Sequence, residues 1–594
     1  MVVRRERDGR SFRLKAEATL RVRHAAIGFT ATATIIAAAL FAVVTIEGSS
    51  APVRARHGMV LSQNARASNI GADVLRAGGS AVDAAVATAF ALAVVHPTAA
   101  NIGGGGFLVY RSARGDAGTF DFRETAPARA APAMFLVDGR YDPAVHHRSH
   151  ISVGVPGTVA GLHLAWQKHG RLPWPRLVEP AVALARDGFV VTDGLARSLN
   201  ASMDKLRRHP ASLAQFTRNG VPYEPGDTLR QRDLARTLSR IAAQGPAGFY
   251  EGETARLIDA EMQAHGGLIT RADLKAYAAV ERAPLRGTYR GYDILGMPPV
   301  SSGGTAVVEA LNILEGYDLA ASGFNSAATL HLAAESMRRA FADRARYLGD
   351  PAFNPAMPVE RLTSKDYAAD LRRGIDPERA SPSSPASFEW PHESNETTHI
   401  SVVDAERNAV ALTYTLEETY GSGIVVPGAG FLLNNEMGDF NAGPGLTDAA
   451  GLVGTEPNLA QPGKRMLSSM APTIVARDGA LFMITGSPGG RTIINTVLLT
   501  ILAAVDFGLN AQEVVDAPRL HHQWLPDRIS VERHGFSPDT LALLRRRGHE
   551  LTTVERQGSA QVIIYNAKEG VLEGGLDSRT PDGGAGLLIT RPLP

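Results

Sequence analysis

Two adjacent threonines, Thr397 and Thr398, follow a polar stretch ending in Asn395-Glu396 and begin an apolar, strand-like run. A threonine hydroxyl inside a chain is a poor nucleophile, whereas a threonine that starts a chain has its own α-amino group as a base. Thr397 would become such a residue if the peptide bond after Glu396 were cut. The spacing therefore raises the hypothesis of a nucleophile that is made by cleavage of the chain.

The residues after this point predict a β-hairpin. Residues 397–403 and 409–415 alternate with a period of two, and the five residues between them, DAERN, are typical of a turn. If the strands pair across this loop, Thr397 lies opposite Thr415, with Cβ atoms about 5 Å apart. Taken alone, the residues favour a simpler interpretation, which is a cross-strand threonine pair on a solvated face of the sheet.

The elements that must position this hairpin differ on its two sides. Before it, residues 80–95 predict a helix that is buried all round, and residues 327–348 predict a helix with one apolar stripe. Residues 374–396 are polar and predict a loop or linker. After it, residues 481–505 predict a strand, a glycine-rich turn and a helix. The boundary at 396/397 thus separates a helix-rich part from a sheet-rich part.

The N-terminus predicts export. Residues 1–24 are rich in arginine, and the 22 residues from Ala25 to Ile46 carry no charge. Such a segment is long enough to span a bilayer at about 1.5 Å per residue. Ser49-Ser50-Ala51 then fits a small-x-small cleavage site. Residues 1–51 are therefore interpreted as either a cleaved signal peptide or a retained anchor.

Composition excludes several classes of function. The 594 residues have a net charge of +1, which offers no field for nucleic acid, and cysteine is absent, which removes thiol catalysis, disulfides and cysteine metal sites. His521 and His522 are adjacent, so on a strand they point to opposite faces, and no HExxH pattern supports them. Structural histidines are the better interpretation, and neither a metal nor a cofactor is predicted.

Nine motifs occur in a specific order from about residue 57 onward: GGSAVDAAVA, NIGGGGF, DFRETAPA, MPPVSSGGT, TTHISVVD, GFLLNNEMGDF, KRMLSSMAPTIV, GSPGG and DAPRLHHQW. Together they closely resemble the γ-glutamyltranspeptidases, also called glutathione hydrolases, which are N-terminal-nucleophile hydrolases. The resemblance implies an α/β (α+β) fold, a four-layer αββα sandwich that is assembled from two autoprocessed fragments of one precursor.

The resemblance also implies the chemistry. The precursor would cut itself between Glu396 and Thr397, giving a large subunit of residues 52–396 and a small subunit of residues 397–594 that remain a heterodimer. Thr397 would attack the γ-amide carbonyl of glutathione or a related γ-glutamyl compound. The resulting γ-glutamyl ester would pass to water or to an amino-acid or dipeptide acceptor.

Residue roles follow from matching motif positions. Thr415 would hydrogen-bond Thr397, and the backbone N–H groups of the glycine turn would form an oxyanion hole. An arginine and two serines would bind the α-carboxylate, and two acidic residues would hold the α-ammonium. The glycines of the oxyanion hole are Gly489 and Gly490. The carboxylate would be bound by Arg123, Ser468 and Ser469, and the ammonium by Glu436 and Asp439. Without the resemblance, Arg123 reads as a solvated surface arginine and the acidic pair as an ordinary loop.

Three positions depart from the family pattern. Glu417 stands where many relatives carry asparagine; a carboxylate there still suits an ammonium but leaves the acceptor preference open. Ala450 stands where some relatives have a gating tyrosine, so the lid of residues 443–465 is expected to close less tightly. Met466 replaces a common proline and is a minor difference.

Two alternatives stay open at this point. One is a β-lactam-precursor acylase of the cephalosporin (glutaryl-7-ACA) type, which would use the same Thr397; Glu436 and Asp439 favour an amino-acid head group instead. The other is a catalytically silent, membrane-anchored binding protein, against which the intact nucleophile and glycine turn argue. The donor, the acceptor and the balance of hydrolysis and transfer are not determined by the sequence.

Overall fold

The computed structural model describes residues 51–383, 397–446 and 455–590. Glu396, Ala450 and the apolar segment 25–46 lie outside these ranges. Across the described part of the chain, no helix has both the length and the apolar character needed to cross a membrane.

Strands occur throughout the described chain, some in succession and some separated by helices. In chain order they are β1 Val53–Ala55, β2 Gly58–Ser62, β3 Gly105–Arg111, β4 Ala117–Phe122, β5 Leu136–Val137, β6 Arg140–Tyr141, β7 Phe189–Val190, β8 Thr217–Arg218, β9 Val221–Pro222, β10 Thr228–Leu229, β11 Val280–Arg282, β12 Leu285–Tyr289, β13 Tyr292–Gly296, β14 Thr398–Val403, β15 Ala409–Thr415, β16 Thr473–Arg477, β17 Ala480–Thr485, β18 Leu520–His521, β19 Ile529–Glu532, β20 Leu551–Val554, β21 Gln561–Asn566, β22 Val571–Leu576 and β23 Gly584–Leu588.

The α-helices lie mostly before residue 397. They are Ala65–Arg76, Ala81–Val95, Pro143–Arg148, Thr158–His169, Trp174–Asp187, Asp193–Ala201, Met203–Leu206, Pro210–Phe216, Arg232–Gln244, Ala247–Tyr250, Gly252–Ala264, Arg271–Ala276, Gly303–Leu314, Leu319–Ser322, Ala327–Tyr347, Val359–Leu362, Lys365–Arg373, Thr492–Val505, Ala511–Asp516 and Pro538–Arg546. Short 3₁₀ turns cover His150–Ser152, Glu436–Asp439 and Glu456–Asn458.

Two seven-stranded sheets form the centre of the fold. Their strand orders are β1-β22-β21-β17-β16-β13-β12 and β11-β4-β3-β15-β14-β2-β23. Neighbouring strands in both sheets are antiparallel. Each sheet takes strands from both sides of residue 397, so the parts of the chain before and after that residue are interleaved.

The side chains of β2 show how the layers are stacked, because they alternate between two cores. Val60 packs in one core with helix Ala81–Val95. Met59 and Leu61 point the other way, into a core that they share with the first sheet. Apolar residues of three helices complete this second core: Gly303–Leu314, Ala327–Tyr347 and Thr492–Val505. The layers therefore run helix, sheet, sheet, helix.

The two helices predicted before the hairpin are confirmed. Ala81–Val95 is buried at every position, and Ser80 caps it in a capping box with Asp83. Ala327–Tyr347 begins after Ser326, whose side chain accepts a hydrogen bond from the N–H of Thr329. Both helices pack against sheets, which explains why their sequences are apolar over wide faces.

Candidate active site

The nucleophile candidate sits at the start of the predicted hairpin. β14 pairs with β15 so that Thr398 faces Tyr414, which confirms the five-residue loop and its register. In this register Thr397, just before β14, lies opposite Thr415 at the end of β15. Their exposed fractions are only 4% and 3%. The alternative of a threonine pair on a solvated face is therefore wrong.

The same face of the hairpin carries a histidine whose neighbour Ser401 bonds to the other sheet. His399 Nδ1 lies 2.7 Å from Thr413 Oγ1, and its Nε2 lies 3.1 Å from Ser401 Oγ. Ser401 in turn donates to the carbonyl of Gln561 in the other sheet, at 2.9 Å. Burial lowers the pKa of His399 to about 3, so the ring is neutral. A Cβ on Gly486 would come within 2.1 Å of this ring, which places the histidine against the glycine turn.

The glycine turn itself precedes a helix. Gly489 and Gly490 have φ values of +132° and +53°, in the left-handed region that favours glycine. Thr492 N donates to Gly489 O at 3.0 Å as helix Thr492–Val505 begins. Backbone N–H groups ahead of a helix N-terminus are suited to stabilise an oxyanion. The strand, turn and helix predicted here are confirmed.

The NIGGGGF motif fixes the position of Thr415. Asn101 Nδ2 donates to the Thr415 carbonyl at 2.7 Å, and its Oδ1 accepts from Gly104 N at 2.8 Å and from Thr158 Oγ1 at 2.9 Å. A Cβ on Gly104 would lie 2.1 Å from the same carbonyl, so only glycine fits there. The sequence showed the motif but not that Asn101 holds the hairpin.

A small pocket lies beside Thr397 and collects residues from distant parts of the chain. It is lined by nine of the ten residues predicted for the site: Arg123, Thr397, Thr415, Glu417, Glu436, Asp439, Ser468, Ser469 and Gly490. Gly489, the tenth, lines a larger cavity that also borders Thr397. The structure thus brings the whole predicted set together around one hydroxyl.

Arg123 is fully buried, so its interpretation as a solvated surface arginine is wrong. Its guanidinium donates to the carboxylates of Glu436 and Asp439 and to the carbonyls of Met466 and Leu467, the last two at 3.2 Å. Burial alone would lower the pKa of Arg123, but the attraction of the two carboxylates raises it above the ordinary value. Glu436 is also buried, which rules out an ordinary solvated acidic loop.

Carboxyl groups outnumber the cation at this end of the pocket. The groups that interact electrostatically with Arg123 are Glu124, Glu417, Glu436 and Asp439. Burial raises the pKa of Glu124 to about 8. Burial, together with the charge of Asp439, also raises the pKa of Glu417. Of these groups Glu417, Glu436 and Asp439 line the pocket, and one guanidinium cannot pair with all three as carboxylates, so the pocket is suited to a ligand that brings a second positive charge.

Glu417 is held in an unusual backbone conformation. Its φ is +78°, and its N–H donates to Thr415 Oγ1 at 2.9 Å. Its Oε1 lies 3.1 Å from His147 Nδ1. Burial lowers the pKa of His147. His147 belongs to helix Pro143–Arg148 and carried no signal in the sequence that could have linked it to the site.

The two serines are held from behind by another motif. The carbonyl of Ser468 accepts from Ser302 N at 2.8 Å and from Ser302 Oγ at 2.6 Å. Arg344, which is fully buried, donates to Ser469 Oγ at 2.9 Å and to Ser302 Oγ at 2.7 Å. Ser302 belongs to the MPPVSSGGT motif, which therefore acts as a support for the pocket. Arg344 was not predicted, because its helix showed only an apolar stripe.

The larger cavity has a volume of about 1090 Å³ and a basic wall. Its described lining includes five arginines: Arg197, Arg491, Arg528, Arg556 and Arg579. Asp582 is the sole acidic residue in the part of this wall that the structure describes. Thr397 therefore lies where a small pocket rich in carboxyl groups meets a wide basic cavity.

His521 and His522 hydrogen-bond to different neighbours. His521 Nδ1 lies 2.6 Å from Asn495 Nδ2. His522 Nδ1 accepts from Trp524 N at 3.0 Å, and its Nε2 lies 3.3 Å from Asp527 Oδ1. Burial lowers the pKa of His522 to about 4. These contacts fit the structural role that was predicted for both.

The comparison with known families decides what this site belongs to. The sequence model of the gamma-glutamyltranspeptidase family matches residues 67–587. The chain belongs to the γ-glutamyltranspeptidase family. Its similarity to the glutathione hydrolase proenzyme of Escherichia coli (strain K12) amounts to 51% identity over 536 residues, covering 89% of this chain and 92% of that protein.

This member of the γ-glutamyltranspeptidase family is also similar to acylases. The acylase ACY 1 proenzyme of Pseudomonas sp. (strain SE83) is 38% identical over 532 residues, which covers 88% of this chain and 92% of that protein. The crystal structure of cephalosporin acylase from Bacillus halodurans has a TM-score of 0.81 at 29% identity and covers 91% of this chain and 97% of that chain. Together with the observed layers, this similarity confirms the predicted αββα fold class.

Proposed function

We propose that this member of the γ-glutamyltranspeptidase family is a glutathione hydrolase and γ-glutamyltransferase with Thr397 as its nucleophile. The observation that carries the proposal is the small pocket, which presents a guanidinium and several carboxyl groups to one buried threonine. A γ-glutamyl group ends in an α-carboxylate and an α-ammonium, and therefore needs both charge signs in one place.

The head group would bind by replacing internal ion pairs. Arg123, which pairs with Glu436 and Asp439 in the free pocket, would turn its fork toward the α-carboxylate. Ser468 and Ser469 would add hydroxyl or amide donors to the same carboxylate. The acidic side chains, with Glu417 beside them, would then accept from the α-ammonium. The substrate thus supplies the positive charge that the pocket lacks.

The chemistry follows from the position of Thr397 between pocket and glycine turn. Its α-amine would take the proton from Oγ while Oγ attacks the γ-amide carbonyl. The N–H groups of Gly489 and Gly490 would stabilise the oxyanion. The amine would leave with the proton, and Thr397 would keep the γ-glutamyl group as an ester. Water or an acceptor amine would then attack the ester and restore the free hydroxyl.

The larger cavity is the side from which the leaving amine departs and the acceptor enters. Its wall is basic, and glutathione loses a dipeptide that ends in a carboxylate. Peptide and amino-acid acceptors also carry a carboxylate. Arg197 and Arg579 are already ion-paired with carboxylates of the protein. Arg528 and Arg556 of the same wall would attract both ligands.

Processing would occur between Glu396 and Thr397, giving fragments 52–396 and 397–594. Both sheets contain strands from each fragment. Separating them would open two cores, so the fragments would stay together as a heterodimer after cleavage. The names of several relatives, which call them proenzymes, support this proposal.

A cephalosporin acylase activity is the second candidate, because two similar proteins are named acylases. A glutaryl group has the carboxylate but not the ammonium of a γ-glutamyl group. It would leave the carboxyl groups around Arg123 without a cation, so the pocket favours the γ-glutamyl substrate.

Export is proposed on the basic region and apolar segment of residues 1–51. The enzyme would then act outside the cytoplasm, either free or anchored by residues 25–46. Cell fractionation with N-terminal sequencing of the large fragment would test this. A cytoplasmic protein that still begins at Met1 would contradict it.

The central experiment combines mass spectrometry with two anilide substrates. The purified protein should consist of two fragments, of which the smaller begins at Thr397. It should release aniline from the γ-glutamyl-anilide much faster than from the glutaryl-anilide, and glycylglycine should accelerate the first reaction if transfer competes with hydrolysis. A single uncut chain without turnover would instead support a silent binding protein, and a preference for the glutaryl substrate would support an acylase.

A further inference from the structure

A cluster of potential metal ligands lies outside the active site. His150 Nε2 is 2.9 Å from Glu261 Oε1, and His265 Nε2 is 4.0 Å from the same oxygen. The ligand atoms of all three residues lie within 4.8 Å of one another. Two imidazole nitrogens and one carboxylate oxygen form a ligand set that zinc and similar divalent transition metals prefer.

The fold holds two of these ligands and leaves the third accessible. Glu261 lies in the last turn of helix Gly252–Ala264, and His265 follows four residues later, on the same face. His150 begins the 3₁₀ turn His150–Ser152 and is only 8% exposed. The side chain of His265 is 47% exposed, so an ion could enter from solvent on its side.

The distances are close to those of a bound ion. Bonds of about 2.0–2.2 Å in a tetrahedral site put the ligand atoms about 3.3–3.6 Å apart. The observed 2.9 Å and 4.0 Å lie on either side of this value, and the ligand atoms of His150 and His265 lie within 4.8 Å of each other, so side-chain shifts of about 1 Å would complete the geometry. A water molecule would take the fourth position.

The surroundings of Glu261 bring imidazole rings rather than fixed cations to its carboxylate. His209 also packs against His150, with 5.8 Å between ring centroids. No lysine or arginine pairs with Glu261 among the described residues.

A second cluster of two histidines and one glutamate differs, because arginines pair with its carboxylate. In the group of His331, Glu335 and His549, the carboxylate of Glu335 already forms ion pairs with Arg338 and Arg339. Two fixed guanidinium charges would repel a cation there. The carboxylate of Glu335 is therefore already paired with arginines, whereas that of Glu261 is open to a metal ion.

We propose that His150, Glu261 and His265 form a binding site for one divalent ion of the Zn²⁺ and Co²⁺ class. The ion would join the turn that follows helix Pro143–Arg148 to the end of helix Gly252–Ala264. Sequence analysis predicted no metal, because His150 and Glu261 are 111 residues apart and form no local pattern.

The test is metal binding by the purified full-length protein, without an affinity tag and after treatment with a chelator. Calorimetry with ZnCl₂ should give one site per chain with a Kd on the order of 1 µM or lower. Co²⁺ should give the visible absorption of a tetrahedral complex, while Mg²⁺ should not compete. Zn²⁺ should also raise the Tm.

His265→Ala and Glu261→Gln should each weaken Zn²⁺ binding by at least about tenfold. His534→Ala, which removes an exposed histidine elsewhere, should leave the affinity unchanged. His265 is half exposed, so its variant should keep the metal-free Tm of the parent, and Glu261→Gln keeps the shape of the side chain. Failure of the parent protein to bind Zn²⁺ saturably, or an affinity unchanged from the parent in either variant, would overturn the proposal.

Discussion

The two ends of the small pocket are built in different ways. At the nucleophile end, positions are fixed by the backbone: the register of β14 on β15, the left-handed glycine turn and the bond from Asn101 to the Thr415 carbonyl. At the head-group end, positions are fixed by buried charges around Arg123. On the proposed roles, reaction geometry and substrate recognition are held by separate interactions, so substitutions at the two ends should fail in different ways.

The largest effect should come from Thr397→Ala, at the nucleophile end. Without the hydroxyl, neither cleavage of the chain nor turnover can proceed, and kcat should fall at least about 10³-fold. Electrophoresis and the anilide assay would measure both. Thr397→Ser should still be cut and should keep some activity, since it retains a hydroxyl.

Thr398→Val is the matched control for this prediction. Thr398 Oγ1 is buried, has no hydrogen-bond partner among the described residues and starts the strand on the other face. Valine has nearly the same shape, so this variant should be cut and should turn over normally. Normal turnover by Thr397→Ala would contradict the assignment of the nucleophile.

Arg123→Ala, at the head-group end, should leave less activity but not abolish the chemistry. It removes the proposed partner of the α-carboxylate and leaves Glu436 and Asp439 without their cation, at a cost of about 2–4 kcal/mol in transition-state binding. The measured kcat/KM of Arg123→Ala should fall by the corresponding factor. The kcat/KM of Arg123→Lys should fall less, because the charge remains. If chain cleavage persists in both, the fold is intact; an unchanged kcat/KM in Arg123→Ala would refute this role.

Arg344→Met should test the support behind the carboxylate site. It removes the bonds to Ser469 and Ser302 and should raise KM about tenfold, the equivalent of one charge-assisted hydrogen bond of roughly 1.5 kcal/mol. The value of kcat should change less, because Arg344 does not contact the nucleophile. Arg346→Met, at an exposed position of the same helix, is the control and should leave KM unchanged. A loss confined to kcat would contradict a role in head-group binding.

The pH dependence of inhibition should separate the two charges of the head group. The pKa values of Glu417 and Glu436 are raised by burial, so these groups lose their protons at a higher pH than an ordinary carboxyl group. L-Glutamate should therefore bind about fivefold or more tightly once they have ionised, because an added charge pair is worth roughly 1–4 kcal/mol; inhibition measured over the whole pH range in which the protein stays folded would show this. Glutarate, which lacks the ammonium, should bind more weakly over the same range. Parallel profiles for the two inhibitors would show that the carboxyl groups do not face the ammonium.

The sequence predicted those features that have a local pattern. A period of two gave the hairpin and its register, and a strand followed by glycines and an apolar helix gave the turn at Gly489. It did not predict the burial of Arg123, which depends on acidic residues more than 300 positions away. Without the family resemblance, that arginine would have been placed on the surface.

The supporting residues could not be predicted for the same reason. Arg344 contacts Ser469 across 125 positions, and His147 contacts Glu417 across 270. Arg344 and His147 each lie in a helix, and the sequence pattern of a helix predicts only which of its faces is buried. Such contacts exist only after the layers have assembled, whereas the processing site at Glu396 and the lid position Ala450 lie outside the described residues and stay predictions.

Glu124→Gln should give the smallest effect, and it concerns stability. Burial raises the pKa of Glu124 from about 4.5 to about 8, and neither carboxyl oxygen has a hydrogen-bond partner among the described residues. Between these values the unfolded chain releases the proton and the folded chain keeps it, so the free energy of unfolding falls as the pH rises, and the loss is complete above about pH 8.

Glutamine does not titrate, so Glu124→Gln should match the parent near pH 5 and exceed its Tm by about 1–2 °C at pH 8.5. Thermal unfolding of both proteins at the two pH values measures this difference. A Tm gap that is the same at both values would mean that Glu124 is already ionised beside Arg123. The head-group end would then hold one more negative charge. It would favour a cationic ligand more strongly than it does with Glu124 protonated.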